Sequence, residues 1–339
     1  MKRISAPLFV ALLVVTGCGT VPQASFNSYL QSFSGVKANA EDLYLRSTLA
    51  AENIASRPEK EGTVAEKFKE LENRKAALET GLAAVNLIDR YNSVLIALAS
   101  GKSKESVQSD LTGLQQDLSS LNLQRITKMV EKAGPYLEVV SQGVALVEDT
   151  IKRKKFAEAV AAAQKPMAGI VDILIIDADN LEELLVQDIQ REQDPYFKQI
   201  GSYGGRVNKR LKELKSTPEI VTLLGRVNQA RVSLAHESVT ALEPQAGESA
   251  STASSADLDA LTVLAGQTES AALAYNKIEE RVKAQRAVFR EYKNALLATK
   301  RTFAALKDDT EAGRYAATRD FIQQARDLRM AALKLREAR

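Results

Sequence analysis

The run that decides the fold is 258–306, LDALTVLAGQTESAALAYNKIEERVKAQRAVFREYKNALLATKRTFAAL. Alternate steps of three and four pick out Leu261, Leu264, Thr268, Ala271, Tyr275, Ile278, Val282, Gln285, Phe289, Tyr292, Leu296, Thr299, Phe303 and Leu306. Only Thr268, Gln285 and Thr299 break the apolar register. The repeat lasts about seven heptads, past the three or four that define a coiled-coil seam. At about 1.5 Å per residue the run extends about 70 Å. A rod of that length cannot be enclosed by a compact ball of 339 residues, so it must lie along other long helices.

Outward from this run, the chain supplies them. Val64, Phe68, Leu71, Leu78, Leu82 and Val85 form a helical stripe with one gap at Lys75, continued by Ile88, Tyr91, Leu95 and Leu98. Val107, Leu111, Leu114, Leu118 and Leu121 repeat the pattern. The spacing predicts helices at about 25–56, 62–100, 103–132, 135–165, 167–193, 196–215, 218–242, 257–308 and 312–338. Ser103 can cap a helix that carries Glu105 in its first turn. Ser106 stands where Glu or Gln would complete a capping box. Gly134-Pro135 marks a break, and Thr217-Pro218-Glu219 a helix start with Pro at the first position. Pro166 either kinks a helix or restarts one, because it lacks an N–H. Gly201, Gly204 and Gly205 are expected to interrupt the pattern between helices. No segment sustains a period of two, and aromatics are only 5 %, so no sheet of consequence is expected. The fold class is therefore all-α: an elongated antiparallel bundle with long coiled-coil helices.

The domain plan follows from composition. Residues 25–242 form the body of the bundle. The stretch 243–256, EPQAGESASTASSA, has no apolar period and reads as a Ser/Ala/Gly-rich surface linker. Residues 257–339 form a C-terminal helix pair. Two helices with one apolar seam need a surface to pack on, so the pair is expected to fold back along the body.

The first twenty residues, MKRISAPLFVALLVVTGCGT, have the parts of a secretory signal: Lys2 and Arg3, an apolar core at 7–15, then small residues. The core is shorter than the roughly 20 residues a transmembrane helix needs. Val15-Thr16-Gly17-Cys18 resembles the lipobox of bacterial lipoproteins, a resemblance confined to residues 1–18. It implies a diacylglycerol on the Cys18 thiol, cleavage after residue 17, acylation of the new amine, and a tether at 18–24. Several acyl chains suffice for stable anchoring where one is marginal. Gly19, rather than Asp, implies by the same resemblance the outer membrane of a Gram-negative envelope. Cys18 is the single Cys of the chain. With one Cys and one His, multi-ligand His/Cys metal sites and internal disulfides are excluded. No metal or other cofactor is expected.

Other candidate sites are weaker. The stretch 172–194 carries Asp172, Asp177, Asp179, Glu182, Glu183, Asp188, Glu192 and Asp194 against Arg191 alone. Its DADNLEELLVQD segment starts like a calcium loop, but Glu182 replaces the turn Gly and Asp188 the bidentate Glu. A solvated helix face is the expectation. Residues 276–339 carry a net charge of +7, which suits either an anionic surface or pairing with that acidic stretch; pairing is favoured. His236 has no nucleophile or ligand partner in its neighbourhood of sequence. GSYGGR at 201–206 lacks the Lys-Ser/Thr of a phosphate loop and reads as a helix–helix turn. No catalytic residue is assigned and no nucleic-acid partner is expected.

The function these features imply is non-enzymatic. The chain reads as a lipid-anchored envelope scaffold that presents helices to an envelope protein or to a second copy through the 261–306 seam. The alternative is a membrane-active bundle that inserts 167–176, whose helix carries Asp172 and Asp177. A ligand-binding or hydrolytic α-bundle needs carboxylates pointing into the core, and the 258–306 seam has none.

Overall fold

The computed structural model of the chain describes residues 23–57, 63–99, 102–125, 134–152, 156–232, 242, 251–305 and 311–338. Among these residues the protein is all-α, with nine helices packed together. They are α1 (Gln23–Ala55), α2 (Val64–Ala99), α3 (Lys104–Ser120), α4 (Gly134–Lys152), α5 (Phe156–Arg191), α6 (Asp194–Leu211), α7 (Pro218–Val232), α8 (Ser255–Ala305) and α9 (Glu311–Glu337). The only β feature among the described residues is a single parallel bridge between Leu214 and Ser251.

Helix starts follow local chemistry. The Ser103 side chain accepts from the Ser106 N–H at 3.3 Å. Thr63 and Glu66 form a capping box at α2: the Thr63 N–H donates to Glu66 at 2.8 Å, and the Glu66 N–H donates back to Thr63 Oγ1 at 3.3 Å. Ser254 and Asp257 do the same at α8. The C-terminal part of the expected linker, 251–256, is thus a bridge and a helix start, while 243–250 lies outside the described residues.

α8 is one helix of 51 residues, about 75 Å long. Of its described seam positions, Leu264 and Tyr275 are half-buried and the others are buried. Towards its C-terminus a broader face is covered: Val288, Phe289, Tyr292, Ala295, Leu296, Ala298 and Phe303 join a large core built with α1, α2, α3, α4, α5 and α9. Towards its N-terminus, Leu261 and Ala265 share a smaller core with Val207, Leu211, Leu214, Ile220, Leu224 and Val227. Ala271 and Ala272 meet Ile200 and Ala230. One helix thereby joins a many-helix body to an arm of α6, α7 and its own first half.

α5 and then α6 accompany α8 in one antiparallel register. Asp172 meets Lys300 at 2.7 Å, Asp179 meets Lys293 at 2.7 Å, Glu192 meets Arg281 at 2.6 Å, and Phe197 lies 6.5 Å from Tyr275 between ring centroids. The acidic stretch and the basic C-terminal region therefore pair with each other across α5 and α8.

Three expectations are corrected. Pro166 does not restart a helix between 135–165 and 167–193: of the two alternatives it takes the place inside a helix, within α5. Its ring packs on Gly143 of α4, where an added Cβ would come within 2.5 Å of the Pro166 Cδ. Gly201, Gly204 and Gly205 do not interrupt a helix; α6 runs through them, held by the burial of Ile200, Gly204, Val207 and Leu211. The stripe beginning at Val64 is not buried from its start: Val64 is 85 % and Phe68 63 % exposed, because the opening turns of α2 reach past the core.

Candidate functional site

Cys18 lies outside the described residues, five positions before the first residue of α1. α1 starts at Gln23. Tyr29 packs 4.6 Å from Phe321 and Phe33 6.3 Å from the same ring, near the start of α9. Tyr91, near the end of α2, stacks edge-on against Phe303 at 5.2 Å, and Gln164 donates to the Phe303 carbonyl. The start of α1, the start of α5 and the end of α8 therefore share one end of the body. Along α8 the arm begins about 45 Å from that end and finishes about 75 Å from it, at 1.5 Å per residue.

The arm is fastened to α8 by charge as well as by its two small cores. Arg226 of α7 makes a two-pronged contact with Glu269 at 2.7 and 2.6 Å, and Arg210 of α6 pairs with Asp257. The planar guanidinium matches a carboxylate in this bidentate form, which fixes orientation. Between α6 and α8 lies an open groove of about 410 Å³, walled by Tyr196, Tyr203, Val263, Gly266 and Ala271. Arg206 stacks over the Tyr203 ring at 5.0 Å. Small residues on α8 and aromatic residues on α6 leave room there for an apolar side chain from another helix.

Inside the body sits a polar cluster that the sequence reading assigned to solvent. Asp177 is 8 % exposed, and the Tyr44 hydroxyl donates to its Oδ2 at 2.7 Å. Tyr292 of α8 is fully buried beside them, and its hydroxyl has no partner among the described residues. Burial pushes the Asp177 carboxyl up to about 6, partly offset by the Tyr44 hydroxyl and the Asn180 amide. Burial raises Tyr44 well above the ordinary tyrosine range, and the nearby Asp177 charge adds to it. Gly81 of α2 backs the Tyr44 ring so closely that an added Cβ would lie 2.5 Å from its Cε1. Asp177 is thus corrected from a solvated face to the core. The signal was in the sequence: Ile170, Leu174, Asp177, Leu181 and Leu184 follow one helical stripe, and the acid occupies a core position in it. A carboxyl near 6 lies in the range suited to proton transfer. It is buried against Tyr44, with Tyr292 nearby.

The other sequence candidates fall as follows. Asp179, Glu182 and Asp188 lie on the regular helix α5, not in a loop, and pair with Lys293 and Arg57. No group of three metal-ligating side chains occurs among the described residues. GSYGGR is helix, and His236 lies outside the described residues. The run 167–176 forms the middle of the core through Met167, Ile170, Val171, Ile173 and Leu174. No helix of the described residues is long and apolar enough to cross a membrane. Comparison of the chain with protein-family models, with curated proteins and with solved structures finds no match.

Proposed function

We propose that the protein is a lipid-anchored cell-envelope lipoprotein of a Gram-negative outer membrane, tethered through Cys18, and that it works as a non-enzymatic scaffold. The observation that carries this reading is the placement of two features at opposite ends of one rod: the start of α1 at one end, and the three-helix arm with its aromatic groove at the other. A tether holds; the arm presents. The continuous α8 keeps the distance between them, and the α5–α8 ion pairs hold its register. The partner is an envelope protein that lays an apolar helix face on the arm, or a second copy of the chain doing so.

Two measurements test this. Cells fed a fatty-acid probe should label the wild-type chain and not Cys18→Ser, which should leave the membrane fraction. A photo-crosslinking residue at Tyr203 or Val263 should trap a discrete envelope protein or a dimer, while one at the exposed Ser34 of the body should not. An unlabelled wild-type chain would remove the anchor. Equal trapping from Ser34 and Tyr203 would remove the arm as the presenting surface.

A further inference from the structure

We propose that the outward face of α9 is a docking surface for an anionic lipid bilayer, with phosphate-bearing headgroups as its ligand. Arg319, Arg326, Arg329, Lys334 and Arg336 are exposed on α9, and none of them forms an ion pair with a described residue. Cations elsewhere on the molecule are often engaged: Arg281, Lys293, Lys300 and Arg301 each hold a carboxylate. Two of the acids of α9 are engaged by neighbours. Asp320 is held by Arg301 at 2.7 Å and Asp327 accepts from Gln323 at 2.9 Å. Glu337, exposed in the last turn, falls within the same sector as the cations and is the acid that the row carries.

The same face interleaves apolar groups with the cations. At about 100° per residue, Tyr315, Arg319, Ile322, Arg326, Met330 and Leu333 fall within a sector of about 80°. Tyr315 is 57 % and Met330 54 % exposed. Cations mixed with apolar and aromatic residues along one helix face match an interface where hydrocarbon meets headgroup, which an acidic protein surface does not offer. Charge along the neighbouring helix is compatible: α1 carries no acid before Glu41. An open groove of about 850 Å³ between Ser28 and α9 is walled by Tyr315, Arg319 and Arg326, with room for a headgroup between the guanidinium groups; Asp320, which also lines it, has its charge met by Arg301.

The choice of bilayer rests on the lipid-anchor reading in one respect, namely reach. Cys18 is five residues before Gln23, and five residues span at most about 18 Å. A lipid on Cys18 would hold the start of α1 within that distance of the headgroups, and α9 packs beside α1 through Phe321 against Tyr29 and Phe33. With α9 lying on them, the rod rests along the surface and carries its arm parallel to the membrane.

The test uses the chain from Gly19 onward, which keeps every described residue, and vesicles of phosphatidylcholine with or without phosphatidylglycerol. The wild type should sediment with the phosphatidylglycerol vesicles, less as salt rises, and not with phosphatidylcholine alone. Each cation near an anionic surface is worth about a factor of five in affinity. Arg319→Glu with Arg326→Glu should therefore weaken binding at least about thirtyfold at unchanged helicity, and Arg319→Gln with Arg326→Gln should fall between. Lys209→Glu with Lys212→Glu, on exposed positions at the end of α6, should leave binding as it was. Absence of phosphatidylglycerol-dependent binding overturns the proposal. So does an α9 reversal with no effect, or an α6 reversal with an equal one. Labelling of Cys18 is read separately: a labelled chain whose vesicle binding ignores α9 keeps its anchor and loses this surface.

Discussion

Asp177 sets the chemistry of the core, and its titration gives a prediction with a definite sign. In the unfolded chain the carboxyl releases its proton near pH 3.8; in the folded chain burial holds the proton to about pH 6. Between those values the folded state binds the extra proton, so stability falls as pH rises from about 4 to 6 and is level above that. The total is about 3 kcal/mol at 1.36 kcal/mol per unit. Asp177→Asn should remove this component, since an amide oxygen can still accept from Tyr44. Urea midpoints at pH 4, 5.5 and 7.5 should show the variant near wild type at pH 4 and more stable by about 1–3 kcal/mol at pH 7.5, the buried NH₂ group's need of an acceptor taking part of the gain. The other carboxylates titrate in both proteins, so the difference between the curves isolates this one. A difference that does not change with pH would place the proton elsewhere. That a residue counted among eight acids of a charged stretch proves buried has a simple cause. Local charge describes composition, whereas the stripe through Ile170, Leu174 and Leu181 describes direction, and direction decides burial.

At the scale of the element, glycine separates what sequence shows from what only packing shows. Gly81, Gly143, Gly201 and Gly205 all lie inside helices, where Gly costs about 1 kcal/mol relative to Ala. An added Cβ at Gly201 or Gly205 meets nothing within 4 Å, so Gly205→Ala should stabilise by about 0.5–1 kcal/mol. At Gly81 the same methyl would collide with a Tyr44 ring that the core and Asp177 hold in place. There overpacking of about 1–3 kcal/mol outweighs the helix gain, and Gly81→Ala should lower the thermal midpoint while Gly205→Ala raises it. Midpoints moving together would mean that Tyr44 yields freely. Periodicity made the existence of the helices legible: the α8 seam and the start at Pro218 stand where spacing puts them, while α3 ends at Ser120, short of the expected 103–132, with Leu121 of its stripe in extended conformation. Periodicity did not show that α6 runs through three glycines, and it left open whether α5 runs through Pro166. In both cases a neighbour, Arg231 near Gly204 and Gly143 under Pro166, supplies a close fit that no local rule contains. The acid-to-base pairing of α5 with α8 was legible as opposite charge on two stretches. Its register needed the structure.

For the whole molecule, α8 is the one element common to body and arm, so the rod is as stiff as that helix. The segment around Asn276 lies between the two sets of cores: the arm's end at Ala272 with Tyr275 packed beside them, and the body's large core begins at Val288 with Ala284 against it, while Ile278, Val282 and Gln285 stay buried between. Pro in a helix interior removes a hydrogen bond and clashes with the carbonyl four residues back, at a cost of about 3 kcal/mol. Asn276→Pro should therefore bend the rod rather than unfold either end, because the contacts of α6 and α7 with residues 261–272, and those of α9 and α5 with 288–303, do not pass through residue 276. Small-angle scattering from the wild type should give a maximum dimension of at least about 75 Å, the length of α8 alone. The variant should give a shorter one at nearly unchanged helical content. Its thermal unfolding should split into two transitions, the small-cored arm melting first. A variant that keeps the full dimension would show that the Arg281–Glu192 pair and the Phe197–Tyr275 contact alone hold the arm in line. A chain trapping its partner as well when bent as when straight would mean that the arm's surface, not its distance from the tether, is what the scaffold supplies.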